Sequence, residues 1–148
     1  MTTGQPGYSG TPLATKLGVK EAHTLLLIGA PAGWYVPDLP DGVEVRQRSK
    51  SLRAGDPEAD IVIAFCVSAA RFGETGPDLA RGLGVNSALW VAWPRRAGGH
   101  ESDMTDQWLR DVLLPVGVVD VKVAVLDQDW SGLKFVWRRE NRAARARS

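Results

Sequence analysis

The stretch that most constrains this chain is Thr24-Leu25-Leu26-Leu27-Ile28-Gly29 followed by Ala30-Pro31-Ala32-Gly33-Trp34. The first half is a short uninterrupted apolar run. Such a run reads as a strand covered on both faces, as in the middle of a parallel sheet. The second half is a Gly/Pro turn at the carboxyl end of that strand, the edge where open α/β sheets hold their ligands. Two further runs have the same character: Ile61-Val62-Ile63-Ala64-Phe65-Cys66-Val67, and Ala88-Leu89-Trp90-Val91-Ala92-Trp93 with Pro94-Arg95-Arg96-Ala97-Gly98-Gly99 after it.

Between and around these runs the chain is punctuated for helices and loops. Thr11 and Pro12 open a short helix with Leu13, Ala14 and Leu17 on one face and Gly18 at its end. It is expected to pack at the sheet edge before the first strand. Pro37 to Gly42 read as a loop, Val43 to Arg46 as a short strand with one wet face, and 47–58 as a solvated connection. A broken helical segment follows the second apolar run, its second half opened by Pro77-Asp78 and closed by Gly84. The strongest helical stripe is Met104, Trp108, Leu109, Val112 and Leu113 over 103–114, with Asp103 and Asp106 near the positive end and Pro115 as the stop. Val119, Val121, Val123 and Val125 alternate with Asp120, Lys122 and Ala124. After a loop at 127–132, Leu133 to Trp137 alternate again, which predicts a terminal hairpin of antiparallel edge strands with one wet face.

The sum is one doubly wound, mostly parallel α/β sheet with a C-terminal antiparallel hairpin. A length of 148 residues suits one domain, and six Trp supply much buried area despite 16 Gly and 9 Pro. The expected division is a flexible arm at 1–10, anchored if at all by Tyr8, a single domain at 11–138 and a disordered basic tail at 139–148. The segment 138–148, with Arg138, Arg139, Arg142, Arg145 and Arg147 against Glu140, carries a net +4 in a chain whose net charge is +1, so the remainder is mildly acidic at −3. A basic body is therefore absent, which argues against nucleic acid as a partner except through the tail. With a single cysteine no internal disulfide is possible, and no apolar run nears the ~20 residues of a membrane helix. No signal peptide is visible at the N-terminus, so the expected location is cytoplasmic.

The order of elements over residues 20–138 resembles a trimmed class I methyltransferase. In that family the last strand is antiparallel and follows a hairpin turn, as 118–138 does here. The resemblance implies S-adenosylmethionine as cofactor, a glycine loop after the first strand and an acidic residue ending the second. Gly29 and Gly33 are kept, but Pro31 removes a backbone donor, Trp34 adds bulk, and the second strand ends in Val45-Arg46-Gln47 with Glu44 inside it. A second resemblance spans nearly the whole chain apart from the tail. Gly7-Tyr8-Ser9-Gly10-Thr11-Pro12-Leu13-Ala14, Leu17-Gly18, Leu89 to Arg96, Asp120-Val121-Lys122 and Trp130-Ser131-Gly132-Leu133-Lys134 are similar to an uncharacterised bacterial family of short proteins, a domain of unknown function. It implies a small cytoplasmic protein and no established activity.

The expected ligand edge gathers Gly29, Ala30, Gly33, Trp34, Ser68, Trp93, Arg95 and Arg96, with Arg71 beside them. Backbone N–H groups and guanidinium groups suit a small anion, and Trp34 with Trp93 could wall an aromatic ligand. The plain alternative makes the Arg residues solvated loop charges and the Trp residues core. Asp127, Asp129, Trp130, Ser131 and Lys134 read as a partner-recognition tip or as an ordinary turn. Cys66 beside His100 could be a nucleophile, yet a Cys after a buried strand is commonly an apolar filler. Ser68, His100 and Asp103 lack a nucleophile elbow, and two His with one Cys do not make a metal cluster. No catalytic residue and no cofactor is assigned. The sequence points to a non-catalytic binding or regulatory module, for a small anionic ligand or a protein partner, on a degenerate methyltransferase-like fold. The alternative is an S-adenosylmethionine-dependent methyltransferase, or other nucleotide-using enzyme, with an atypical glycine loop.

Overall fold

A computed structural model of the chain describes residues 11–49 and 59–146. Residues 1–10, with Tyr8 and the expected arm, lie outside the described residues, as does 50–58 in the expected connection. The elements run α1 (Leu13–Leu17), β1 (Thr24–Ile28), β2 (Glu44–Arg48), β3 (Ile61–Phe65), α2 (Ala69–Arg81), β4 (Ala88–Pro94), α3 (Asp106–Leu113), β5 (Val118–Val125), β6 (Trp130–Trp137) and α4 (Arg139–Ala146). One six-stranded sheet has the order β2-β1-β3-β4-β6-β5. The first four strands are parallel, and β6 runs antiparallel to both β4 and β5.

The apolar runs form the central strands because each side of them has something to bury against. Leu25, Leu27, Ile61, Ile63 and Trp90 share one face, where α1 and the loop after β1 pack. Leu26, Ile28, Val62, Leu89 and Val91 share the other, under α2 and α3. Register aligns them in rows: Leu27 pairs with Ile63, and Ile63 with Trp90. A fully buried side chain of this size contributes about 1.5–3 kcal/mol, so each row is a substantial part of the core.

Several sequence expectations are corrected. The helix α1 lies on the face of the sheet and not at its edge; the Trp90 Nε1–H donates to the Leu17 carbonyl at 3.1 Å. Pro12 occupies its cap position instead of its first turn. The segment after β3 is one continuous helix of 13 residues with Pro77 inside it. A proline there costs roughly 3 kcal/mol, which burial of Phe72, Gly76, Leu79 and Ala80 on the same helix offsets. The helix α3 starts at Asp106 because Thr105 caps it, its Oγ1 accepting from the Trp108 N–H at 3.0 Å. In the hairpin only β5 is an edge strand, since β6 is inserted beside β4. The register of β5 shifts between Asp120 and Lys122, so Val121 and Val123 are exposed instead of forming a dry row. Finally, residues 139–146 form α4, and 147–148 of the expected tail lie outside the described residues. The first turns of α4 are pinned to the hairpin: Asn141 Nδ2–H donates to the Gly117 carbonyl at 3.0 Å and Arg142 Nε–H to the Trp137 carbonyl at 2.9 Å.

Candidate functional site at the strand ends

The carboxyl ends of β1, β3 and β4 lie along one edge, joined there by the turn between β5 and β6. After β1 the chain leaves through Gly29 and Gly33, both at positive φ (69° and 80°), conformations that favour glycine. The Gly29 N–H donates to the Arg48 carbonyl at 2.8 Å, and the Trp34 N–H to the Pro31 carbonyl at 3.0 Å. No helix follows. Residues 29–43 form an irregular connection all the way to β2. A dinucleotide or adenosyl site in an open α/β sheet uses the N-terminus of the helix after the first strand, whose free N–H groups and dipole face the ligand. That helix end is missing here.

In its place the connection sends a side chain over the edge. Trp34 meets Phe65 edge-on, with ring centroids 4.8 Å apart, and Phe65 meets Trp130 edge-on at 4.9 Å. Such pairs contribute about 0.5–1.5 kcal/mol each beyond the area they bury. The Trp34 Nε1–H donates to Asp127 Oδ2 at 2.9 Å. The other carboxylate oxygen of Asp127 accepts from the N–H groups of Asp129 and Trp130, each at 2.8 Å. One carboxylate thus folds the hairpin tip and latches the loop from the far side of β3.

The two arginines are also engaged with loops. Arg95 Nη1–H donates to the carbonyls of Asp127 and Gln128 at 3.3 and 3.2 Å, and its backbone N–H to the Asp129 carbonyl at 2.8 Å. Arg96 Nη2–H reaches the Ser102 carbonyl at 3.4 Å. His100 Nε2 is 2.8 Å from Asp129 Oδ1 at the same tip. Arg95 is therefore part of the tip's scaffold.

Ser68 caps α2, its Oγ accepting from the Arg71 N–H at 3.2 Å, and Asp103 Oδ1 accepts from the Ala69 N–H at 2.9 Å. The Trp108 Nε1–H donates to the Ala69 carbonyl at 2.8 Å. The Ser68–His100–Asp103 grouping is thus split between a helix cap and the hairpin tip. Trp93 packs with the core under α2 and α3, whereas Trp34 and its neighbour Ala30 pack on the opposite face. The two Trp residues do not wall one cavity. Cys66 is held in the ladder by its N–H to the Ala92 carbonyl at 2.8 Å, and burial pushes its thiol up to about 11. At neutral pH it is a thiol and not a nucleophile.

Glu44, the nearest acid on the second strand, lies at its start opposite Thr24. A strand of this length puts it roughly 13 Å from the carboxyl end. It is paired with Arg46 at 2.7 Å, whose hydrogen bond and charge hold the carboxyl below its ordinary value. No group of three or more His, Cys, Asp or Glu that could hold a metal ion occurs among the described residues. Nor is any helix among them long and apolar enough to cross a membrane.

Sequence reasoning missed Phe65 and the reach from Trp34 to Asp127. The signal for Phe65 was present, because alternation from Ile61 and Ile63 places it on the same face at the strand end. The Asp127 contact joins residues 93 positions apart and had no local signal.

No protein-family model matches the sequence, and no curated protein matches it. Solved structures do. A SAM-dependent methyltransferase from Aquifex aeolicus is 13% identical, with 83% of this chain and 86% of that one covered at a TM-score of 0.55. The precorrin-6y C5,15-methyltransferase from Geobacter metallireducens GS-15 is 12% identical, covering 85% and 86% at 0.58. The Methanococcus jannaschii fibrillarin pre-rRNA processing protein is 16% identical, covering 80% and 68% at 0.57. The chain has the Rossmann-like fold of these structures, with the antiparallel last strand in place. At these identities the likeness concerns the fold.

Proposed function

We propose that this protein is a non-catalytic binding or regulatory module that keeps the methyltransferase-like sheet and has given its cofactor edge to its own side chains. The carrying observation is the latch: Trp34 lies against Phe65 and bonds to Asp127 across the strand ends where a nucleotide would sit. Three further observations support it. The helix after β1 is missing, the second strand carries no acid at its carboxyl end, and Cys66 is held as a thiol. On this reading the expected edge residues Gly29, Ala30, Gly33, Trp34, Ser68, Trp93, Arg95 and Arg96 build the contact surface and its scaffold. Tyr35 and Val67, 71% and 62% exposed, project from the loops of the same edge and supply apolar area for a partner.

The alternative, an S-adenosylmethionine-dependent enzyme with an atypical loop, is favoured by the fold of the neighbouring structures alone. Calorimetric titration of the purified protein with S-adenosylmethionine and S-adenosylhomocysteine separates the two. The module reading expects no saturable heat up to millimolar ligand. Stoichiometric binding of either compound replaces it with the methyltransferase reading.

A further inference from the structure

The hairpin carries an electrostatic oddity far from the strand-end edge. Lys122 on β5 is directly opposite Lys134 on β6. Like charges in directly opposed positions destabilise a sheet. The end of α1 brings Lys16 to the same place. Lys16 is 9% exposed, with its Nζ donating to the Val125 carbonyl at 3.3 Å. Lys122 Nζ donates to the Lys16 carbonyl at 3.3 Å. Lys134 Nζ stands 5.9 Å above the Trp90 ring and comes within 3.4 Å of where a Cβ on Gly18 would lie. Burial lowers the Lys134 ammonium from its ordinary value, and the charges of Lys122 and then Lys20 lower it further. For Lys16 the causes are burial and then Lys122.

Among the described residues no carboxylate pairs with Lys20, Lys122 or Lys134. Each ammonium has three donors. Lys122 spends one on the α1 end, and among the described residues Lys134 has the aromatic face beneath it. Unused donors and uncompensated charge therefore meet where a helix end joins the hairpin. A lysine ammonium is a point charge suited to phosphate oxygens. Lys122 and Lys134 stand opposite each other and both reach the end of α1, which matches a compact anion; a nucleic acid backbone calls for an extended row.

We propose that Lys122 and Lys134 form a binding site for a compact phosphate-type oxyanion, an inorganic or organic mono- or diphosphate, at the junction of α1 with the β5–β6 hairpin. The site stands independently of the cofactor edge, so loss of one reading leaves the other intact.

The test is a calorimetric titration of the full chain with inorganic phosphate and pyrophosphate at fixed ionic strength. A single saturable site for pyrophosphate is expected, with the Gly18 and Lys134 amide resonances moving as it fills. Lys122→Gln and Lys134→Gln are each expected to weaken binding about tenfold, the scale of one charge-assisted hydrogen bond. Arg81→Gln, on α2, is the control and leaves the affinity unchanged. The proposal is overturned by absence of saturable binding at millimolar pyrophosphate or by wild-type affinity in Lys122→Gln. Equal weakening in Arg81→Gln also overturns it, since that means diffuse attraction. Thermal melts of each variant establish that it is folded before it is titrated.

Discussion

The two faces of the sheet are covered in different ways. One carries α2 and α3, two amphipathic helices whose starts are capped by Ser68 and Thr105 and whose buried residues join a single cluster with the sheet. The other carries a helix of five residues and the irregular connection 29–43. The first face is ordinary α/β packing. The second holds everything that sets this chain apart: the Trp34 latch, the missing helix after β1 and the lysines between α1 and the hairpin. A fold is kept by one face while the other is free to change its use.

The largest expected contrast is in stability. Phe72 on α2 is 1% exposed, and Phe72→Ala is expected to cost about 3–5 kcal/mol in urea unfolding. If it costs less than Trp34→Ala, the division between a structural and an adapted face is wrong. Next is Cys66, packed against the two-helix core. Its folded thiol titrates at about 11 against an ordinary 9.0. Between those values the unfolded chain has lost the proton and the folded chain keeps it, so stability falls as pH rises through that window. Wild type is expected to lose up to about 3 kcal/mol that Cys66→Ala does not lose, read from unfolding curves at pH 8 and pH 11. Thiol labelling of the native protein at pH 8 is expected to be roughly 100-fold slower than for a free thiol.

On the adapted face, Trp34→Ala removes one aromatic pair and one hydrogen bond at a partly exposed position. A cost of about 2 kcal/mol is expected, and a cost near zero would mean that the latch contributes nothing to the fold. The smallest effect is a cap: Thr105→Ala is expected to cost about 1 kcal/mol and to leave the indole signal of Trp34 unchanged. A change there would couple the two faces.

The parallel strands were legible because Leu25 to Ile28, Ile61 to Ala64 and Leu89 to Ala92 are apolar without interruption, short and bounded by turn residues, as in strands covered on both sides. The antiparallel hairpin was legible from alternation. Its Val row was misread because a shift at Val121 cannot be seen in a period-two pattern. Pro77 misled for a different reason, since local propensity yields to the burial of Phe72 and Leu79 on either side. At the candidate site, Gly29 and Gly33 were readable as a turn, and the mismatch of Pro31 and Trp34 with a cofactor loop was readable as chemistry. Where Trp34 goes was not. That depends on the path of residues 29–43 and on a carboxylate 93 positions away.

The central claim is that Trp34 closes the strand-end edge by bonding to Asp127, and the indole N–H resonances test it most directly. Trp90 and Trp137 donate to the backbone carbonyls of Leu17 and Leu83 and serve as internal references. In Asp127→Ala the Trp34 indole proton is expected to shift and to lose protection from exchange while those two references stay in place, and S-adenosylhomocysteine is expected to move none of the three in wild type. A Trp34 signal that ignores Asp127→Ala, or that moves on addition of S-adenosylhomocysteine to wild type, contradicts the account.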